Sequence, residues 1–191
     1  MSRQVKTTYV TPEEYLSLER KAESKSEYLD GEIFAMTGAS KNHNFIAGNV
    51  FSALKQHLRE RPCEIYISDM RVKIPSANLY TYPDVAVVCG ESQFEDDAVD
   101  TLLNPTLIVE VLSKSTAAYD RTTKFGYYRT LVSVAEYLLI AQNGYHVEHY
   151  VKQPDNRWML SDFRSLEDVL QLDSVQCSLA LGEIYYKVSL S

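Results

Sequence analysis

Long apolar runs are missing from this chain of 191 residues. No stretch approaches the roughly 18 apolar residues of a membrane-spanning helix, so we predict no membrane segment. The first residues, MSRQVKTTYVTPEEY, lack the apolar core of a signal peptide, and we expect no secretory signal. Together these absences favour a cytoplasmic location.

Cysteine is also scarce. Cys63, Cys89 and Cys177 are far apart and form no CxxC pair, which argues against a zinc ribbon or a disulfide framework. We therefore expect three reduced thiols. His146 and His149 are three positions apart in a predicted strand, where this spacing puts side chains on opposite faces. We expect them to be surface residues rather than metal ligands.

An excess of basic residues is absent too. The formal net charge is −7, which argues against a protein that coats nucleic acid with a generally basic surface. It does not exclude an enzyme with a local basic groove. The sequence contains no GxGxxG, no P-loop and no GxSxG, so it gives no support to dinucleotide binding, P-loop chemistry or a serine hydrolase.

Three segments carry helix signals. Residues 11–14, TPEE, have the pattern of an N-cap followed by proline and an acidic first turn. Apolar residues recur at helical spacing over 41–61. A further helix is predicted over 120–132, with Val132 on the same apolar side as Phe125.

Strand signals occupy most of the remaining chain. An Asp-Gly pair predicts a tight hairpin near the N-terminus, and residues 63–74 alternate as one strand. VAVV, LIVEVL and AEYLLIAQ are apolar runs typical of the buried middle of a sheet, and 145–152 follows them as an edge strand. We predict an α/β (α+β) fold: a mixed central sheet flanked by helices, with an N-terminal hairpin and a C-terminal strand extension. We expect a single domain over 1–191.

Two of the apolar strands each carry a carboxylate. Asp84 directly precedes VAVV, and Glu110 lies in the middle of LIVEVL. An unpaired buried charge is costly, so such groups are usually paired, protonated or bound to a metal. If the strands are neighbours, both acids can bind one Mg²⁺ or Mn²⁺, with the Val111 carbonyl as a third ligand. The alternatives are a turn role for Asp84 and a core Arg or Lys partner for Glu110.

The arrangement of these acids resembles a known nuclease motif. Pro83-Asp84 before one apolar strand, and an acid in the next, resemble the PD-(D/E)XK nuclease superfamily, although Leu112 holds the motif's lysine position here. The wider stretch from PDVAVVCG through LIVEVLSKST to AEYLLI, together with YLDGEIFAMTGAS, resembles the Uma-two (Uma2) family over nearly the whole chain. The resemblance implies a restriction-endonuclease-like fold.

The missing lysine needs a substitute, because a cation near the scissile phosphate stabilises charge there. Lys124 is our first candidate, since it follows Asp120 by four residues on one helix face beside the Glu110 strand. The resemblance makes such a migration of the lysine to this helix plausible. The competing interpretation is a surface pair between Lys124 and Asp120. The other candidate cations are Lys114, Lys73 and Arg121.

Glu27 and His43 are the remaining candidates. Glu27 precedes the predicted hairpin, and His43 opens the long helix. The resemblance implies that both line the same cavity as the two strand acids, without fixing their roles. The alternatives are a solvated edge residue for Glu27 and a helix N-terminal residue bonded to the backbone for His43.

The resemblance implies a metal-dependent endonuclease that hydrolyses DNA phosphodiester bonds with a metal-activated water. Asp84 and Glu110 would hold the Mg²⁺ or Mn²⁺, and Lys124 would stabilise developing charge. We expect a homodimer, because a compact core often needs two copies to cut both strands. Two alternatives stay open: a non-catalytic binding or assembly protein that retains the fold, and a hydrolase of another phosphate ester such as RNA.

Overall fold

The computed structural model describes residues 9–190. Its α-helices are α1 (Pro12–Glu19), α2 (Lys41–His57), α3 (Ala117–Tyr119), α4 (Phe125–Tyr128) and α5 (Leu181–Ile184). Its strands are β1 (Ser26–Leu29), β2 (Glu32–Ala35), β3 (Cys63–Ile67), β4 (Arg71–Ile74), β5 (Leu79–Thr81), β6 (Val85–Cys89), β7 (Thr101–Leu102), β8 (Leu107–Leu112), β9 (Glu136–Ala141), β10 (Val147–Lys152), β11 (Trp158–Phe163), β12 (Val169–Leu172) and β13 (Cys177–Ala180).

Residues 1–8 and 191 lie outside the described part. Much of the N-terminal stretch in which we predict no secretory signal is therefore not covered, and the single domain over 1–191 stays a prediction. Within 9–190, every helix is too short or too polar to cross a membrane.

The central sheet has the strand order β11-β10-β9-β8-β6-β3. The β8–β9 pair is parallel and its neighbours pair antiparallel, so the sheet is mixed. Helices α2 and α5 pack on one face, and the 117–128 helical segment covers the other. The predicted mixed sheet flanked by helices is confirmed, with β1–β2 as the N-terminal hairpin and β11 to β13 as the C-terminal strands.

Strand β8 is buried along its whole length, which explains its unbroken apolar sequence. Val109 and Val111 point toward α2, whereas Ile108 and Leu112 point toward the 117–128 segment. Because side chains alternate along a strand, Glu110 also points toward the 117–128 segment.

A smaller sheet, of order β2-β1-β5-β4-β7, contains the N-terminal hairpin. Thr11 caps α1 in a capping box with Glu14, as the sequence predicts. Tyr28 on β1 stands opposite Tyr80 on β5, and one step along this register Glu27 stands opposite Thr81. The hairpin thereby carries Glu27 into the interior.

The prediction of one strand over 63–74 is wrong. Strand β3 pairs with β6 in the central sheet, whereas β4 pairs with β5 in the smaller sheet. A turn separates them, in which the Met70 N–H donates to the Ile67 carbonyl at 2.9 Å. Ser68-Asp69 is a turn signal inside the alternating pattern, and the chain uses it to pass from one sheet to the other.

The predicted helix over 120–132 is also different in the structure. It begins at Ala117, passes through a π-helical turn, Asp120–Lys124, and ends with α4 at Tyr128. Val132 is 90% exposed and does not share the buried side of Phe125. A π turn holds more residues than an α turn, so the α-helical period fails across it.

Strand β10 is not an edge strand, because β11 pairs along its outer side. His149 is therefore buried, with Nε2 2.6 Å from Glu136 Oε2, and the expected surface position is wrong for this residue. His146 lies just before the strand and contacts Asp162 at the partly exposed rim.

Two cysteines form a disulfide, which corrects the expected reduced thiols. Cys63 and Cys89 are opposite each other in the antiparallel β3–β6 pair and are bonded, whereas Cys177 is free. Sequence spacing alone could not show this contact, because the pairing of β3 with β6 brings together residues 26 positions apart.

Candidate active site

Asp84 and Glu110 face each other at one end of the β6–β8 pair. Val85 stands opposite Val109, and one step along this antiparallel register Asp84 stands opposite Glu110. Opposite residues project to the same face of the sheet. The Val111 N–H donates to Asp84 Oδ2 at 2.7 Å, which fixes this carboxylate against β8. The two acid-bearing strands are therefore neighbours, which is the condition under which both acids can reach one cation.

Lys124 brings a cation to this pair of acids. Its Nζ lies 2.8 Å from Glu110 Oε1 and 3.3 Å from Glu27 Oε1. The side chain starts from the π turn, the kind of helical irregularity that is frequent at functional sites. Lys124 is only 5% exposed, so the alternative of a surface pair with Asp120 is wrong.

Burial sets the protonation of Glu110. Desolvation raises the pKa of Glu110 to about 8, the nearby charges of Asp84 and Asp120 act in the same direction, and Lys124 opposes them. Tyr128 also donates to Glu110 Oε1 at 3.3 Å. Burial lowers the pKa of Lys124, but the surrounding carboxylates outweigh it and hold that pKa well above its ordinary value. Lys124 therefore stays charged at neutral pH.

Glu27 is part of the interior cluster rather than a solvated edge residue. Its Oε1 accepts a hydrogen bond from the Thr81 hydroxyl and one of 3.4 Å from the Tyr82 N–H. Both donors lie on or beside β5, the strand next to β1. These contacts hold the carboxylate beside Lys124.

His43 meets Asp84 from the first turn of α2. Its Nε2 lies 3.2 Å from Asp84 Oδ2, while its backbone N–H donates to the N-cap Ser40 hydroxyl at 3.1 Å. The alternative of a helix N-terminal residue bonded to the backbone does not account for the whole residue. The His43 backbone N–H takes part in the helix cap, but the imidazole ring contacts Asp84. Burial lowers the pKa of His43, but Asp84 and the Val111 backbone outweigh it and raise that pKa above its ordinary value.

Sequence reasoning did not assign a site role to Asp120, which is 4% exposed and lines the same cleft. Burial raises the pKa of Asp120, with Lys124 opposing. The only sequence signal was its spacing of four residues from Lys124. Gln142 was also missed: its side-chain amide donates to the Leu112 carbonyl at 2.8 Å, and its backbone carbonyl accepts from the Asn42 side chain. It thereby ties the start of α2 to the end of β8.

The other candidate cations have other partners or none near Glu110 within residues 9–190. Lys73 pairs with Glu95, and Arg121 lies 2.6 Å from Glu148. Lys114 is exposed and lies on the margin of the cleft. Among these candidates, Lys124 is the one that contacts Glu110.

The cluster opens into a cleft of about 1900 Å³. Within the described residues, five cationic side chains and four carboxylates line this cleft, although the whole chain carries −7. The cations are Lys25, Lys41, Lys114, Arg121 and Lys124, and the acids are Glu27, Asp84, Glu110 and Asp120. The cleft is therefore less acidic than the rest of the molecule, as an anionic ligand requires.

The donor chemistry of the cluster fits a divalent cation. Carboxylate oxygens are the ligands that Mg²⁺ and Mn²⁺ prefer, and four acids line the cleft together with the buried ammonium of Lys124. Across residues 9–190, no hydrogen bond engages Asp84 Oδ1 or Glu110 Oε2, so each acid keeps a free oxygen. No three His, Cys, Asp or Glu side chains of that part of the chain converge as a ready-made ligand set. A cation held here would need water or substrate oxygens to complete its shell.

The chain is similar to known proteins over most of its length. The family model Uma2, described as “Putative restriction endonuclease”, matches residues 12–182. The Synechocystis protein sll1609 is 45% identical over 156 residues, covering 82% of this chain and 88% of that protein. The Synechocystis protein slr1290 is 38% identical over 176 residues, covering 92% and 91%.

A solved structure shows the same fold. It is a crystal structure from Anabaena variabilis titled as a “putative nuclease belonging to DUF820”, with a TM-score of 0.73 at 17% identity. The match covers 92% of this chain and 97% of that one. The predicted nuclease-type fold is thereby confirmed, and the match of the family model over residues 12–182 shows that the chain belongs to the Uma2 family, described as “Putative restriction endonuclease”.

Proposed function

We propose that this protein is a metal-dependent endonuclease that hydrolyses DNA phosphodiester bonds. One observation carries the proposal: Lys124, held between Glu110 and Glu27, lies in an open cleft that Asp84 also lines. Two strand acids can hold a cation, and a lysine can stabilise the charge that develops when a phosphodiester is hydrolysed. Membership of a family described as “Putative restriction endonuclease” supports the same activity.

Asp84 and Glu110 are the residues that would hold Mg²⁺ or Mn²⁺, with the Val111 carbonyl as a further donor. When bound, such a cation supplies a lowered water pKa and Lewis acidity toward the phosphoryl oxygens. The pKa of Glu110, raised to about 8, means that this carboxyl exchanges its proton near neutral pH. Binding of a cation at Glu110 therefore favours the deprotonated carboxylate.

The chain's own groups supply positioning and charge. Lys124 keeps its proton, and the two carboxylates that flank it hold the ammonium in place before substrate arrives, so little reorganisation is needed. The ammonium is placed to stabilise negative charge that develops on a phosphate oxygen. His43 and the Val111 N–H hold one oxygen of Asp84 and so orient its other oxygen.

A nuclease nicking assay with metal titration tests the proposal. We expect the wild type to bind Mn²⁺ in isothermal titration and to nick supercoiled plasmid, whereas Asp84→Asn and Glu110→Gln lose both properties, with nicking reduced at least about 100-fold. Glu23→Gln, which changes an exposed carboxylate, serves as the matched control and should retain both.

Circular dichroism on the same samples shows whether each variant is folded. A folded wild type that binds no Mn²⁺ or Mg²⁺ and cuts no DNA contradicts the proposal. The homodimer stays a prediction. It rests on the expectation that a compact core needs two copies to cut both strands, and light scattering at assay concentrations tests it directly.

A further inference from the structure

An exposed phenylalanine, Phe34, lies on β2, next to the strand that carries Glu27. Phe34 on β2 is opposite Glu27 on β1, so their side chains share a face with Cβ atoms about 5 Å apart. Glu27 in turn contacts Lys124 at 3.3 Å. Phe34 is 48% exposed and lines the same cleft as the acids. An apolar ring therefore lies open to solvent close to the proposed phosphate position.

Ile67, at the end of β3, adds to this surface. It is 46% exposed and lines the same cleft, and we call Phe34 and Ile67 the apolar wall. Lys25, beside the hairpin, donates to the Ser68 carbonyl at 2.7 Å and to Asp69 at 2.8 Å. These bonds tie the base of the hairpin to the turn that follows Ile67. The hairpin that carries Phe34 is thereby tied to the end of β3 that carries Ile67.

Cations lie in the same cleft as the apolar wall. Lys41, Lys114 and Arg121 line it in addition to the buried Lys124. Exposed apolar groups beside these cations favour a binding surface, because they gain free energy when a ligand covers them. The ligand that suits this cleft carries negative charge for the cations and an apolar flat face for Phe34.

We propose that the preferred substrate is a nucleic-acid strand with unpaired bases, one of which stacks on Phe34. Inside a duplex each base face is covered by its neighbours, so a duplex offers phosphates all along its length but free rings only at its two end pairs. A single strand offers both, and aromatic stacking platforms beside cationic grooves are the usual way such strands are bound. The placement of the phosphate at Lys124 rests on the proposed nuclease function, whereas the stacking contact is measured by binding alone.

Fluorescence anisotropy in EDTA tests this without cleavage. The probes are a labelled 12-nucleotide single strand and the same sequence in a blunt duplex. We expect the wild type to bind the single strand more tightly, and Phe34→Ala to weaken that binding about fivefold to a hundredfold. Phe34→Trp should retain the affinity, since it keeps an aromatic face. Tyr186→Ala, which removes a 60% exposed aromatic outside the cleft, should leave it unchanged.

Two outcomes overturn the inference: equal or tighter binding of the duplex, and single-strand affinity that Phe34→Ala leaves unchanged. If light scattering also shows that the unchanged-affinity variant passes from dimer to monomer, Phe34 is a contact between two copies of the chain. If plasmid nicking persists in any of these cases, the proposed nuclease function stands. If binding depends on Phe34 but none of the divalent cations supports cleavage, the nuclease proposal is contradicted and the stacking contact stands.

Discussion

Lys124 Nζ lies 2.8 Å from Glu110 Oε1, so a cation from the π turn reaches the carboxylate of β8. In the motif that this chain resembles, the lysine follows two positions after the strand acid, where Leu112 stands here. Leu112 instead packs in the core between the sheet and the 117–128 segment. The π turn supplies the charge that the strand does not.

Replacing Lys124 should abolish the proposed activity while sparing the fold. We expect Lys124→Met to reduce plasmid nicking at least about 100-fold, because a positioned donor to the transition state is lost. Without the ammonium the pKa of Glu110 rises further and the carboxyl stays neutral, which limits the loss of stability. Nicking rates and thermal unfolding are measured together, with Lys114→Met as the control on the cleft margin. Equal loss in both variants would contradict a special role for Lys124.

Thr81 should act as a positioning residue for Glu27. Thr81→Val keeps the shape of a fully buried side chain but removes the hydroxyl that donates to the Glu27 carboxylate. We expect roughly tenfold slower nicking and a loss of about 1 to 3 kcal/mol in the free energy of unfolding. Thr81→Ser restores the donor and should restore the nicking rate. A Ser variant as slow as the Val variant would assign the loss to packing.

Asp100 should stabilise the fold in a pH-dependent way. It pairs with Arg20 at 2.8 Å and with the buried Arg71 at 2.5 Å. The Arg20 hydrogen bond, with a further contribution from Arg71, lowers the pKa of Asp100 against the effect of burial. A lowered folded pKa gives stability that is complete above the ordinary value of 3.8 and is lost as the pH falls through the folded pKa.

We therefore expect Asp100→Asn to lower the free energy of unfolding by about 2 kcal/mol at pH 7. The difference from wild type should shrink once the pH falls below 3.8. Urea unfolding at pH 7, 5 and 3.5 measures it. A difference that stays constant over this range would show that the charge of Asp100 is not its cause.

The Cys63–Cys89 disulfide should make stability depend on redox conditions. A bond closing a loop of this size contributes about 3 kcal/mol by restricting the unfolded chain. We expect a reductant to lower the thermal midpoint of the wild type, and the Cys63→Ser/Cys89→Ser variant to be insensitive to it. Cys177→Ser keeps the disulfide and should respond like the wild type. An unreduced sample with three free thiols in a thiol titration would contradict the bond.

The sequence by itself determined the features that depend on neighbours along the chain. The α1 cap, the start of α2 and the tight turn between β1 and β2 follow from local hydrogen bonding and backbone preference. The buried strands follow from their unbroken apolar residues. A carboxylate inside such a strand is so costly that Glu110 could be singled out as a candidate before any fold was known.

Tertiary structure decided what depends on residues far apart in sequence. The exclusion of Lys73 as the site lysine required knowing that β4 belongs to the smaller sheet, and the Cys63–Cys89 bond required the pairing of β3 with β6. The turn at Ser68-Asp69 is hidden within an alternating pattern, and the π turn breaks the helical period. Such contacts are fixed by strand pairing and by packing across the sheet, which local periodicity does not contain.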